Sequence, residues 1–105
     1  MASVYKALAD PTRRKIMQLL RERDMTAGEL AEHFDFAKPT LSRHFSVLRE
    51  ADLIQGNKDG NRIYYRLNVS VLEEALMAMM ETFKIEVEGI DEQDKTTTNT
   101  PDVNY

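Results

Sequence analysis

The sequence predicts a mainly α domain of five helices carrying one small two-stranded β-hairpin, and three observations predict it. Apolar residues recur at helical spacing through most of the first 87 positions, an Asp59-Gly60 pair stands between two short alternating segments, and the stretch from Gly89 onward has few apolar residues. Each element can be justified in turn. Val4, Tyr5 and Leu8 make a short amphipathic segment. Asp10-Pro11 then opens a well-marked helix, because Asp10 can cap free amides and Pro11 loses nothing at the first helical position. Along it Ile16, Leu19 and Leu20 fall on one stripe, with Arg13, Arg14, Arg21 and Arg23 around the rest. Thr26-Ala27-Gly28-Glu29 has the form of a capping box, so a third helix starts near residue 27, turns Leu30, Ala31 and Phe34 inward and stops near Phe34-Asp35.

The segment KPTLSRHFSVLREADLI has a clear helical period. Leu41, Phe45 and Leu48 share its inner stripe, His44 lies at the stripe's edge, and Pro39, Ser42, Arg43 and Ser46 point the other way. Joined to the preceding helix by the short link Asp35-Phe36-Ala37, it completes a helix-turn-helix. Asp59-Gly60 next marks a hairpin whose central turn positions both want positive φ, and Ile63, Tyr65 and Leu67 alternate with Arg62, Tyr64 and Arg66 as a half-buried ribbon requires. This ribbon is a wing, and the fold is a winged helix-turn-helix. Ser70-Val71-Leu72-Glu73 reads as a second capping box opening a long last helix, in which Leu72, Leu76, Met79 and Phe83 form a packing seam ending near Val87. Residues 1–88 are expected to form one domain, and residues 89–105 a polar, acidic tail without enough apolar surface to order itself.

Composition bounds the function. The chain has 105 residues, room for one modest core and no separate catalytic domain. It has no cysteine, which excludes disulfides and thiolate metal sites. No apolar run approaches the ~20 residues of a membrane span, and the first 15 residues do not read as a secretory signal, so a cytoplasmic protein is expected. The net charge of −4 is unevenly spread: residues 1–66 carry 12 Lys or Arg against 9 Asp or Glu, whereas residues 67–105 carry 2 against 9. A net +3 part is thus followed by a net −7 part, which leaves room for a basic surface toward DNA. No nucleophile–base pair, metal triad or glycine-rich phosphate loop is present, so neither an enzyme nor a cofactor is implied.

In a helix-turn-helix, Arg43 stands where a guanidinium can grip a guanine through two hydrogen bonds, with Thr40, Ser42 and Ser46 in reach of bases or phosphates. Lys38 and Pro39 begin that helix, where amides and an ammonium meet phosphate, and Lys58 and Arg62 flank the hairpin turn. The plain alternative for each is a solvated surface residue, and for Lys58 or Arg62 alone it is equally good. His44 reads as a partly buried packing residue, and the isolated His33 and His44 lack a matching carboxylate constellation. Met77, Met79 and Met80 suit either an adaptable ligand patch or core, and core at a dimer seam is the simpler reading. A three-helix core plus a ribbon cannot cover both Val4, Tyr5 and Leu8 and the stripe of Leu72, Leu76, Met79 and Phe83. A homodimer would bury both and set two recognition helices about one duplex turn (~34 Å) apart, on an inverted repeat.

From about Val4 to Val87 the chain resembles the ArsR/SmtB family of winged-helix repressors, through ALADPTRRKIMQLL, MTAGELAEHF, KPTLSRHFSVLREADLI and KDGNRIYYRLN in that order. DPTRRKI and KPTLSRH are most similar to its SdpR-like autorepressor subgroup. The resemblance implies a double-stranded DNA partner, repression of the protein's own operon, and release through a membrane-protein partner encoded nearby. Metal-sensing members place ligands at positions that fall on Thr26 and Gly28, and near Val69, Val71, Thr82 and Ile85, none of which can bind zinc or arsenic. Ala37 replaces the family's frequent N-cap Ser, costing about 1 kcal/mol of capping. The alternative function is a winged-helix interaction module that no longer binds DNA.

Overall fold

The structure is a computed structural model that describes residues 2–35 and 37–86. The expected tail, 89–105, lies outside the described residues. Eight elements follow in order: α1 (Ala2–Leu8), α2 (Pro11–Glu22), β1 (Met25–Thr26), α3 (Ala27–Ala31), α4 (Lys38–Glu50), β2 (Ile54–Asp59), β3 (Arg62–Leu67) and α5 (Val69–Phe83). They divide into two compact units, one reaching to Ala75 and the other beginning at Leu76, so the boundary falls inside α5. No helix among the described residues is long and apolar enough to cross a membrane.

The first unit is organised around Ile16, Leu30, Leu48 and Leu53, which are fully buried and come from α2, α3, α4 and the turn after α4. Each contributes roughly 1.5–3 kcal/mol by leaving water. Phe45 of α4 stacks on Tyr65 of β3 with ring centroids 5.7 Å apart, which ties the recognition helix to the ribbon. Val4 is buried in this core as well, at 6% exposure, so the expectation that it stands on an uncovered patch is corrected. Tyr5 and Leu8, the two other apolar residues of that segment, are half-buried against the core.

Local sequence explains most helix starts. The Asp10 carboxylate accepts from the amides of Thr12 (2.7 Å) and Arg13 (3.2 Å) at the start of α2. Partial burial pushes this carboxyl upward, but the amides of Arg13 and Thr12, with the nearby His44 and Arg13 side chains, hold it below its ordinary value. The capping box of α3 is complete: Glu29 N–H donates to Thr26 Oγ1 at 3.1 Å, and Thr26 N–H donates to Glu29 Oε1 at 2.9 Å. Those bonds to Thr26, before the effects of burial and of the cations Arg23 and Arg62, lower the Glu29 carboxyl. The second box does not form. Ser70 Oγ instead donates to Asn68 Oδ1 at 3.4 Å, and Asn68 takes the capping place because its carbonyl accepts from Val71 and Leu72.

Both long helices after the turn end without glycine. At the end of α4, Asp52 takes φ 61°, Asp52 N–H donates to Arg49 O and Leu53 N–H to Leu48 O, a Schellman motif with the buried pair Leu48 and Leu53 packed across it. The same pattern closes α5: Lys84 takes φ 58°, with Lys84 N–H to Glu81 O and Ile85 N–H to Met80 O. The helix therefore stops at Phe83, four residues before the Val87 that the apolar spacing predicts.

The ribbon differs from expectation in its turn and gains a strand. Asp59 pairs with Arg62, which makes Gly60 and Asn61 the two central turn residues, and of these only Gly60 has positive φ (68°). That is the II′ pattern, with glycine at the first central position. A short strand, β1, joins the far side of β3, so the sheet order is β1-β3-β2, with Met25 opposite Tyr65 and Thr26 opposite Tyr64.

Candidate nucleic-acid interface

The face of α4 proposed from sequence is built as a rigid helix can build it. Leu41, Phe45 and Leu48 are buried, and on the other side Lys38, Pro39, Ser42, Arg43 and Ser46 are exposed while Thr40 is half-buried. Arg43 makes no hydrogen bond or ion pair with a described residue, so its five donors face solvent or a ligand. Ala37 supplies no side-chain cap, and the amides of Thr40 and Leu41 donate to its carbonyl at 3.1 and 3.2 Å.

The wing separates the two cations that the sequence groups together. Lys58 pairs with Ile63 and Asp59 with Arg62, and paired residues share a face while successive ones alternate. Lys58 therefore belongs to the face of Ile63 and of Tyr65, the residue stacked on α4, whereas Arg62 shares the opposite face with Tyr64 and Arg66. Arg62 donates to Tyr64 Oη at 3.3 Å, which raises the guanidinium above its ordinary value and presets its direction. Arg62 thus shares its strand face with the half-buried Tyr64 and the exposed Arg66. Their common face is readable in the alternation, but the hydrogen bond to Tyr64 is not.

Behind the interface, α4 is fastened to the rest of the unit by a residue that the sequence does not single out. Arg13 donates from Nε to Ala7 O (3.0 Å), from one terminal nitrogen to Lys6 O (2.9 Å) and from the other to His44 Nδ1 (3.1 Å). His44 is therefore a polar anchor as well as a packing residue. Arg14 donates to Leu8 O at 2.8 Å, so both arginines close the end of α1.

Of the residues expected at a dimer seam, Leu72 is half-buried against the core of the first unit. In the second unit Leu76 is 49% exposed, Met79 36% and Phe83 64%. Met77 and Ile85 are exposed there too. Among the described residues no group of three His, Asp or Glu side chains is placed to hold a metal ion.

A helix pair whose second member turns small polar and basic side chains outward, followed by a two-stranded wing, defines a winged-helix DNA-binding protein. The model of bacterial regulatory proteins of the arsR family matches residues 10–55, from the cap of α2 into β2. The transcriptional repressor SdpR of Bacillus subtilis (strain 168) is 48% identical over 80 residues, spanning 76% of this chain and 89% of that protein. The arsenical resistance operon repressor of Staphylococcus aureus is 37% identical over 76 residues, or 72% of this chain and 73% of that one. An ArsR-like transcriptional regulator from Rhodococcus sp. RHA1 superposes with a TM-score of 0.74 at 28% identity, covering 79% of this chain and 76% of the other. The chain belongs to the arsR family of bacterial regulatory proteins. It is a winged-helix transcription regulator and not an enzyme.

Proposed function

We propose that this regulator represses transcription as a homodimer on an inverted-repeat operator, its own promoter being the first candidate, and that it does so without sensing a metal. One observation carries the reading: α4 seats Leu41, Phe45 and Leu48 in the core and thereby presents Lys38, Ser42, Arg43 and Ser46 on one outward face. Arg43 is assigned the base contact and Lys38, Pro39, Thr40, Ser42 and Ser46 the bases and phosphates beside it, with Lys58 and Arg62 at the wing against the backbone. The dimer is supported by Leu76, Met79 and Phe83, which leave a large apolar surface in water on an isolated chain, and by the half-buried Tyr5, Leu8 and Leu72. Metal independence is supported by the absence of cysteine and by Thr26, Gly28, Val69, Val71, Thr82 and Ile85, residues without a suitable donor set for zinc or arsenic.

The test is selection of duplexes from a random-sequence pool by the full chain, followed by a salt titration of the selected duplex. Enrichment of two half-sites about 10 base pairs apart is expected, with log affinity falling linearly against log salt. Stoichiometric zinc, cadmium or arsenite should leave the complex intact. A pool that stays random would favour an interaction module instead.

A further inference from the structure

Arg13 sits in the first turn of α2, yet its guanidinium bonds to two other helices at once. Two of its nitrogens hold the carbonyls of Lys6 and Ala7 in the last turn of α1, and a third holds His44 of α4. A guanidinium has donors only, so this bond requires His44 to accept at Nδ1, with the ring proton on Nε2. His44 is the immediate neighbour of Arg43, and on a helix that adjacency places the two side chains about 100° apart. Any rotation of α4 that moves one moves the other.

Apolar packing sets how deeply α4 sits, because Leu41, Phe45 and Leu48 are buried, but dispersion contacts are weakly directional. Hydrogen bonds resist rotation, since they weaken steeply away from linearity. The start of α4 has no side-chain cap to supply such a bond, at Ala37. A recognition constellation must be held to roughly 0.5 Å and 10–20° to read its target. The planar, forked guanidinium of Arg13 meets that demand, whereas the single ammonium of a lysine cannot span three acceptors.

We propose that Arg13 is a positioning residue for sequence reading: without touching DNA, it sets the rotation of α4 that brings Arg43 to the base edges, and it refers that rotation to the end of α1. The inference rests on the assignment of Arg43 to base contact.

The full chain and its Arg13→Met, Arg13→Lys and His44→Leu variants would be titrated, by fluorescence anisotropy, with the duplex that the unmodified protein selects and with a scrambled duplex of equal length. For all three variants the selected-to-scrambled affinity ratio should fall about tenfold, with scrambled binding and the salt slope unchanged. Combining Arg13→Met with His44→Leu should cost no more in that ratio than Arg13→Met alone, because the one bond that His44→Leu shares with it, Arg13 to His44, is already gone. An unaltered ratio in a variant that circular dichroism shows folded would overturn the proposal. So would a salt slope lower by about one, which marks a direct phosphate contact, or losses that simply add. Should the Arg13 variants unfold, His44→Leu decides by its ratio alone. Nitrogen NMR of the imidazole gives a reading independent of DNA: a proton on Nδ1 of His44 would rule out the bond and with it the proposal. If the unmodified protein selects no duplex, the DNA reading itself has failed, and the imidazole spectrum still reports whether Arg13 and His44 are joined.

Discussion

Replacing Leu76 by glutamate should turn the proposed homodimer into a folded monomer. Leu76 is 49% exposed in the isolated chain, so a partner closing over it can remove only that remaining half from water. Full burial of a leucine is worth about 1.5–3 kcal/mol, which makes the half worth about 0.7–1.5 kcal/mol per copy and twice that across a two-fold interface. Leu76→Ala should therefore loosen the dimer by roughly 10- to 150-fold. Leu76→Glu adds the desolvation of one carboxylate per copy, several kcal/mol more, and should abolish pairing at micromolar concentration. The same half-exposure protects the protomer, because the mutated side chain can stay in water. Leu72 is a poorer probe, since it packs on the core of the first unit. Sedimentation velocity over a range of concentrations, with far-ultraviolet circular dichroism on the same samples, makes the measurement. A Leu76→Glu chain that keeps the dimer constant of the unmodified protein would refute the placement of the seam.

Arg43→Ala should lower affinity for the selected duplex by about 1–3 kcal/mol while leaving helicity and association state unchanged, and an unaltered affinity at physiological salt would remove Arg43 from the base contacts. Asp52→Gly should raise Tm by a few degrees, since Asp52 holds φ 61° where an L side chain costs roughly 1–2 kcal/mol and glycine none; the part recovered is about 1 kcal/mol after glycine's greater freedom in the unfolded chain is counted. A Tm that falls would mean the carboxylate has a role of its own. Asp10 predicts a pH effect with a definite sign. Its carboxyl lies below the ordinary value of 3.8, so its contribution is present above that value and is lost as pH falls through the lower folded one. Asp10→Asn keeps a capping oxygen that does not titrate, so urea melts should show near-equal stability at pH 7 and a smaller acid loss in the variant below pH 4. Parallel acid limbs would show that Asp10 is not the titrating cap.

The parts that were readable in advance are those governed by residues close in sequence. Asp10 bonding the amides of Thr12 and Arg13, and the reciprocal pair of Thr26 and Glu29, need only a three-residue reach, and both appear as the side-chain chemistry requires. The inward set of α4 follows from helical spacing alone. Where two local solutions compete, the pattern misleads. Ser70 has the right offset to Glu73, but Asn68 stands two residues earlier and starts α5 sooner. Asp59-Gly60 has the composition of a I′ turn, yet the partner of Asp59 is Arg62, and the register moves the turn by one residue. Asp52 and Lys84 end their helices in a conformation that glycine usually signals, so sequence gives no stop there. The bond of Arg13 to His44 spans 31 residues and depends on how three helices pack, which no local rule contains.

The apolar surface that Leu76, Met79 and Phe83 leave in water also bears on how such a regulator responds to its own abundance. In the proposed dimer the species that grips two half-sites is formed by two chains, so below the dimer dissociation constant its concentration grows as the square of the total. Occupancy of an operator then stays low while the protein is scarce and climbs steeply once monomers begin to pair. A chain acting on its own promoter would accumulate with little restraint up to that point and be held near it afterwards. Weakening the seam moves the set point upward without altering the DNA contacts, and strengthening it moves the set point down. Half-exposed leucine on the last helix thus becomes the dial of a threshold.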